Sequence, residues 1–60
     1  MNSTILIIED ELSLLNILAA YFKKSGFNTL IAKNGLEGLE LFKSSKVDIV
    51  CCDVMMPIID

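Results

Sequence analysis

Three carboxylates follow apolar runs, and their type and spacing make them the residues best placed to do chemistry. Glu9 and Asp10 follow the run 5–8 (ILII), and Asp53 follows the run 49–52 (IVCC). A carboxylate at the rim of an apolar core is costly unless something pairs with it. If the two runs are neighbouring parallel strands, their acids meet at one edge of the sheet, outside the carboxyl ends of the strands.

Three acids at one edge call for a counter-charge. Like charges this close cannot all ionise without help, and a hard divalent cation is the simplest remedy. Mg²⁺ prefers a few carboxylates, a carbonyl and several waters, and it would also neutralise an incoming phosphoryl group. The pattern therefore favours a magnesium site that handles phosphate.

Each acid alone also has an ordinary interpretation. Asp10 is a candidate cap for the following helix, and Glu11 suits that helix's positive N-terminal end. Asp53 alone fits a plain strand end. The combination is more specific, because two apolar strands end in acids and Pro57 follows four residues after the second.

The elements that must position these acids alternate between strands and helices. Continuous apolar runs without polar alternation favour strands buried on both faces, as in a parallel sheet covered by helices. The resulting β-α-β-α-β order predicts an α/β fold with right-handed crossovers. We predict strands over about 4–8, 28–32 and 48–52, and helices over about 11–25 and 35–44.

Helical spacing predicts which side chains face the sheet. In the first helix the predicted buried stripe is wide, and Gly26 fits its stop position. In the second helix Leu39 and Phe42 are expected to face inward, and Gly38 costs about 1 kcal/mol relative to Ala. The stripe of the first helix comprises Leu14, Leu18, Tyr21 and Phe22, broadened by Leu15 and Ile17.

Composition narrows the class of protein. Sixty residues make one domain at most, and 53% hydrophobic content is globular. A net charge of −3 without any Arg argues against direct nucleic-acid contact. Neither a targeting segment nor a membrane-length apolar run is visible.

The adjacent Cys51 and Cys52 would point to opposite faces of a strand. This arrangement suits core positions of a cytoplasmic protein rather than a disulfide or a shared metal site.

The chain resembles the N-terminal half of a response regulator receiver domain, the phosphoacceptor module of two-component signalling. The similarity extends over nearly the whole sequence, and the ending is its most specific part. The matching stretches are 5–11 (ILIIEDE), 26–27 (GF), 34–39 (NGLEGL) and 48–57 (DIVCCDVMMP).

The resemblance implies a role for each matching position. Asp53 would be the phosphorylated residue, and its phosphodonor would be a phosphohistidine of a sensor histidine kinase. Asp10 would bind Mg²⁺ directly, Glu9 would assist, and the main-chain carbonyl of Met55 would complete the metal site. Such a module is not an enzyme in the ordinary sense. Gly38 stands where the family more often has Ala, with a weaker helix and nothing more as the expected consequence.

The resemblance also implies an architecture. A complete receiver is a flavodoxin-like doubly wound parallel sheet with strands in the order 2-1-3-4-5. Residues 1–60 would form a partial domain with the order 2-1-3, truncated after the third strand. That strand would be an open edge, and an unpaired apolar edge is a template for association.

Two other functions compete with the phosphoacceptor. One is a phosphorylation-independent interaction or assembly module that self-associates, as a dimer, through the third strand. The other is a phosphohydrolase with a strand-end Asp nucleophile. It fits less well, because such enzymes carry Asp-x-Asp after the strand and the second Asp position is Met55 here.

Overall fold

The computed structural model of the protein describes residues 2–52, which form a three-stranded sheet and two helices. The sheet order is β2-β1-β3, and both strand pairs are parallel. The predicted α/β class and the predicted order 2-1-3 are confirmed. The elements are β1 (Thr4–Ile8), α1 (Leu12–Lys24), β2 (Asn28–Ala32), α2 (Gly35–Ser44) and β3 (Ile49–Cys52).

The element ends differ little from the predicted ranges. Helix α1 is one residue shorter at each end than the predicted 11–25, and β3 begins one residue after Asp48. Asp48 is instead bonded twice to Thr4: its carboxylate accepts from the Thr4 N–H at 2.8 Å, and its own N–H donates to the Thr4 carbonyl at 2.9 Å. These reciprocal bonds hold the amino ends of β1 and β3 together.

Strand β1 is the centre of the molecule. It is hydrogen-bonded to a strand on each side, and its apolar residues are 0–9% exposed. Because successive side chains of a strand point to opposite faces, Ile5 and Ile7 pack toward α1 while Leu6 and Ile8 pack toward α2. A strand covered on both faces needs no polar alternation, which explains the continuous apolar run.

The α1 face of the sheet is filled by large side chains. Leu15 and Ala19 are the buried residues of α1, and Leu18 and Phe22 pack beside them. The predicted stripe was partly wrong, since Leu14 is 37% exposed and Tyr21 is 63% exposed. The apolar arc of α1 is wide enough to form two faces, and the sequence pattern alone does not show which of them meets the sheet.

The end of α1 is closed by a Schellman motif. Gly26 adopts a φ of +99°, a left-handed conformation that favours glycine. Its N–H donates to the Lys23 carbonyl at 3.1 Å, and the Phe27 N–H donates to the Phe22 carbonyl at 3.0 Å. The rings of Phe22 and Phe27 then meet edge to face at 5.5 Å. The predicted stop at Gly26 is confirmed.

The α2 face is packed differently, and here the predicted orientation was wrong. Leu39 is 47% exposed and Phe42 is 52% exposed. Instead, Gly38 is the buried residue of α2, and Leu41 packs half-buried against the cluster formed by Leu6, Ile8 and Ala32. Hydrophobic periodicity counts side chains, so it cannot identify a helix face whose buried residue is a glycine.

Gly38 does more than weaken its helix. A Cβ built at Gly38 would lie 2.8 Å from Cγ1 of Ile8 and closer still to its Cδ1. Real Cβ atoms essentially never approach another heavy atom within 3.0 Å. The expectation that this position affects helix propensity and nothing more is therefore corrected: glycine permits a close approach of α2 to β1.

Strand β3 lies at the edge of the described sheet. Ile49 is 42% exposed and Val50 is 46% exposed, and their side chains point to opposite faces. Cys51 is half-buried on the α1 face, whereas Cys52 is exposed, and neither forms a disulfide. The prediction of burial on both faces thus holds for β1 but not for β3 within residues 2–52. In that same range, no helix is long and apolar enough to cross a membrane.

Candidate functional site

The candidate site lies where β1 and β3 end together. Ile8 is the register partner of Cys52 in the parallel pair. Glu9 and Asp10 follow Ile8 directly, and Asp53 is the next residue of the chain after Cys52. The predicted ligands Asp53 and Met55 lie outside the described residues. The strand pairing on which the predicted juxtaposition depends is present.

Glu9 is a buried carboxylate, only 4% exposed, at the end of the central strand. Its N–H donates to the Ala32 carbonyl at 3.0 Å, which extends the β1–β2 pairing by one bond. Its Oε2 accepts from the Glu11 N–H at 3.0 Å. A charged acceptor of a backbone N–H forms one of the stronger hydrogen bonds of proteins. Both the backbone and the carboxylate of Glu9 are thus fixed.

Asp10 is exposed, in contrast to its neighbour. The predicted capping role of Asp10 is wrong, because the N-cap of α1 is Glu11, one position further along, and it makes no side-chain cap bond. The Glu11 carboxylate instead accepts from the Ser13 hydroxyl at 3.0 Å. A helix that begins one residue later leaves the Asp10 carboxylate at the surface, where a cation can reach it.

The two acids supply part of a hard-cation site. Carboxylate oxygens suit Mg²⁺, and a site of this kind needs only one or two of them together with water and other oxygens. Within residues 2–52, no group of three or more His, Cys, Asp or Glu residues could hold a metal. Glu9 and Asp10 therefore fit the predicted ion as a pair, and further ligands would have to come from elsewhere in the chain.

The third strand end at this edge, that of β2, is tied to α2 by a capping arrangement. Asn34 is the N-cap of α2, and its Oδ1 accepts from the Glu37 N–H at 2.8 Å. The Glu37 carboxylate reaches back and accepts from the Lys33 N–H at 3.1 Å. The Asn-x-x-Glu spacing of a capping box was the signal that could have revealed this arrangement.

Comparison with known families and proteins gives a consistent result. The sequence model of a family described as "Response regulator receiver domain" matches residues 5–60. Among curated proteins, the chain is 35% identical over 60 residues to the alkaline phosphatase synthesis transcriptional regulatory protein PhoP of Bacillus subtilis, covering all of this chain and 25% of that protein.

Two other relatives differ widely in the share of their length that the chain covers. The sporulation initiation phosphotransferase F of Bacillus subtilis is 35% identical over 60 residues, which is all of this chain and 48% of that protein. The autoinducer 1 sensor kinase/phosphatase LuxN of Vibrio campbellii is 35% identical over 57 residues, which is 95% of this chain and 7% of that protein. The chain thus spans less than half the length of each of these three relatives.

Proposed function

Because the chain belongs to the response regulator receiver domain family, we propose that it is a phosphoacceptor module of a two-component system. A carboxylate oxygen of Asp53 attacks the phosphorus of a phosphohistidine on a sensor histidine kinase. The new O–P bond forms as the N–P bond breaks, and the imidazole leaves with the electron pair of that bond. The module receives the phosphoryl group and is not an enzyme in the ordinary sense.

The observation that supports this proposal is the strand register at the acidic edge. Ile8 lies opposite Cys52 in the parallel pair, and Glu9 and Asp10 follow Ile8 in the sequence as Asp53 follows Cys52. The buried Glu9 is oriented by the Glu11 N–H, while Asp10 is accessible.

We assign the predicted metal ligands to complementary roles. Asp10 and Asp53 would bind Mg²⁺ directly, Glu9 would assist, and the main-chain carbonyl of Met55 would complete the set. When bound, the ion offsets negative charge on the equatorial oxygens of the phosphoryl group. The acids of the chain hold the ion beside the acceptor, and the buried carboxylate keeps its own orientation before any ion or phosphodonor arrives.

The test uses the protein with Mg²⁺ and a small phosphodonor, followed by intact mass spectrometry. We expect an adduct of about 80 Da, the mass of one added phosphoryl group, which is lost in Asp53→Asn and when EDTA removes the metal. Asp48→Asn is the matched control, because Asp48 lies at the other end of β3 and Asn retains an acceptor for the Thr4 N–H. An adduct that persists in Asp53→Asn, or none in the parent, would contradict the proposal.

A second candidate function, the assembly module, is favoured by the edge strand. Ile49 and Val50 are both substantially exposed on opposite faces of β3, and an apolar edge promotes pairing with another chain. Size-exclusion chromatography with light scattering on the same protein distinguishes the two functions. A concentration-dependent dimer without the mass adduct would favour self-association through β3.

A further inference from the structure

The contact between Gly38 and Ile8 links a helix outside the acidic site to the strand that carries the acids. Three side-chain atoms of Ile8 lie within 4 Å of the position that a Cβ of residue 38 would occupy. The nearest two are closer than real Cβ contacts allow, and the third, Cγ2, is at 3.7 Å. An added methyl group therefore cannot be absorbed unless the strand, the helix or the Ile8 side chain moves.

Ile8 has little freedom to yield. It belongs to the central strand and pairs with Ala32 on one side and with Cys52 on the other. Its branched Cβ restricts χ1, and the side chain is 9% exposed, packed in the cluster with Leu6 and Ala32. Crowding by a methyl group at residue 38 is thus expected to displace the backbone at the end of β1, since the Ile8 side chain cannot rotate into solvent.

Helix α2 has equally little freedom at this point. Gly38 lies in the turn that follows the capping residues, and its N–H donates to the Asn34 carbonyl at 3.0 Å. Asn34 caps the helix, and the Glu37 side chain bonds the Lys33 N–H. The Asn34 cap therefore closes the start of α2, and the Glu37 side chain ties that start to Lys33, the residue after β2.

These bonds and contacts close a circuit around the acidic edge. Glu9 follows Ile8 and is bonded through its N–H to the Ala32 carbonyl. From Ala32 the chain leads into the capping segment with Glu37, and the next residue, Gly38, faces Ile8 again. The distance between α2 and β1 at this contact is consequently one of the dimensions that fix where the Glu9 carboxylate lies.

We propose that Gly38 is a positioning residue for the acid pair: the absence of a side chain there sets the close approach of α2 to Ile8, and thereby the orientation of Glu9 and Asp10. The metal-binding part of this proposal rests on the proposed function. A methyl group at residue 38 displaces the end of β1 and weakens Mg²⁺ binding by about 10-fold, the lower end of the range for residues that orient metal ligands.

The competing interpretation, that Gly38 is merely a poor helix former, predicts the opposite sign. Ala is the best helix former and Gly among the worst, so Gly38→Ala would then raise the melting temperature and leave the acids unchanged. Crowding against Ile8 predicts that the same substitution lowers the melting temperature and disturbs the acids.

The experiment follows the Glu11 amide by NMR, because this N–H donates to Glu9 Oε2 and so reports the orientation of that carboxylate. Three variants are compared with the parent, first without metal and then during a Mg²⁺ titration. They are Gly38→Ala, the double variant Ile8→Val with Gly38→Ala, and Gly26→Ala. Ile8→Val removes Cδ1, the atom nearest to the added methyl.

Gly26→Ala is the matched control. It introduces the same methyl group at a glycine whose positive φ makes Ala strained, but nothing lies within 4 Å of the added atom. It destabilises the chain without crowding β1. We expect Gly38→Ala to shift the Glu11 amide and weaken Mg²⁺ binding. The double variant should recover part of both, because it removes Cδ1 and keeps Cγ1, and Gly26→Ala should change neither while the protein remains folded.

Two results would overturn the proposal: an unmoved Glu11 amide in a folded Gly38→Ala protein, or an equal shift in Gly26→Ala. If the parent itself shows no response to Mg²⁺, the proposed phosphoacceptor function fails instead. The metal-free spectra still decide whether Gly38 positions Glu9, so failure of the inference and failure of the function are distinguishable.

Discussion

The two faces of β1 are packed by different means. On the α1 face, Leu15 and Ala19 fill the space over Ile5 and Ile7 with side-chain volume. On the α2 face, Gly38 faces Ile8 without a side chain, and an added Cβ there would crowd Ile8. The α1 face is therefore sensitive to loss of side-chain volume at Leu15 and Ala19. The α2 face, at the contact between Gly38 and Ile8, is sensitive to added volume.

The two helices also differ in where they are anchored. Helix α2 is fixed at its start, beside the acidic edge, by the Asn34 cap. Helix α1 has no side-chain cap at its start and is closed at its other end by the Schellman motif around Gly26. The start of α2 is thus held by a side-chain cap, whereas the start of α1 contributes to the acidic edge through the Glu11 N–H that binds the Glu9 carboxylate.

The largest effect is expected from removing volume on the α1 face. Leu15→Ala, at a residue that is 2% exposed, should lower the free energy of unfolding by about 3 kcal/mol, through lost transfer energy and a cavity. Ile17→Ala is the control on the same helix, since Ile17 is 65% exposed and should change stability by no more than about 0.5 kcal/mol. Urea denaturation followed by circular dichroism measures both. Equal losses would mean that the inner face of α1 is misassigned.

A smaller effect is expected where the two helix starts are compared. Asn34→Ala removes the bond to the Glu37 N–H and should cost about 1 kcal/mol. Glu11→Ala, at the corresponding position of α1, removes no cap bond and should leave stability nearly unchanged. Urea denaturation of both variants measures the difference. A loss in Glu11→Ala as large as that in Asn34→Ala would contradict the contrast in anchoring.

The smallest effect tests the orientation of α2. Phe42→Ala should change the free energy of unfolding by no more than about 0.5 kcal/mol, although it removes the larger side chain, because Phe42 is 52% exposed. Leu41→Ala is the control and should cost more, since Leu41 packs against the cluster of Leu6 and Ile8. Thermal unfolding ranks the two, and a larger loss for Phe42 would restore the orientation expected from periodicity.

The sequence predicted the order of elements and the sheet because these depend on runs of residues. An unbroken apolar run such as 5–8 fits few environments other than a strand buried on both faces. The acids at the strand ends were also visible, since carboxylates such as Glu9 follow directly from residue type, whereas the chemistry assigned to them stays a prediction. Both signals are local and need no knowledge of how neighbouring elements meet.

What the sequence did not reveal was the facing of the helices and the state of each acid. The wide apolar arc of α1 fits two orientations, and Gly38, the buried residue of α2, carries no hydrophobic signal. The difference between the buried Glu9 and the exposed Asp10 depends on where α1 starts. The sequence does not determine that start to within one residue, because boundaries are the least certain part of a sequence-based assignment.

The paired bonds between Thr4 and Asp48 set the register of β3 against β1. They hold the amino end of β3 at the edge of the sheet opposite the acids. The number of residues from Asp48 to Cys52 then determines where β3 ends. Substitutions along β3 leave this length unchanged. An inserted or deleted residue would displace the end of the strand by about 3.3 Å and turn its side chains to the other face. The position of the carboxyl end of β3 thus depends on bonds at the opposite edge of the sheet and on the number of residues between the two edges.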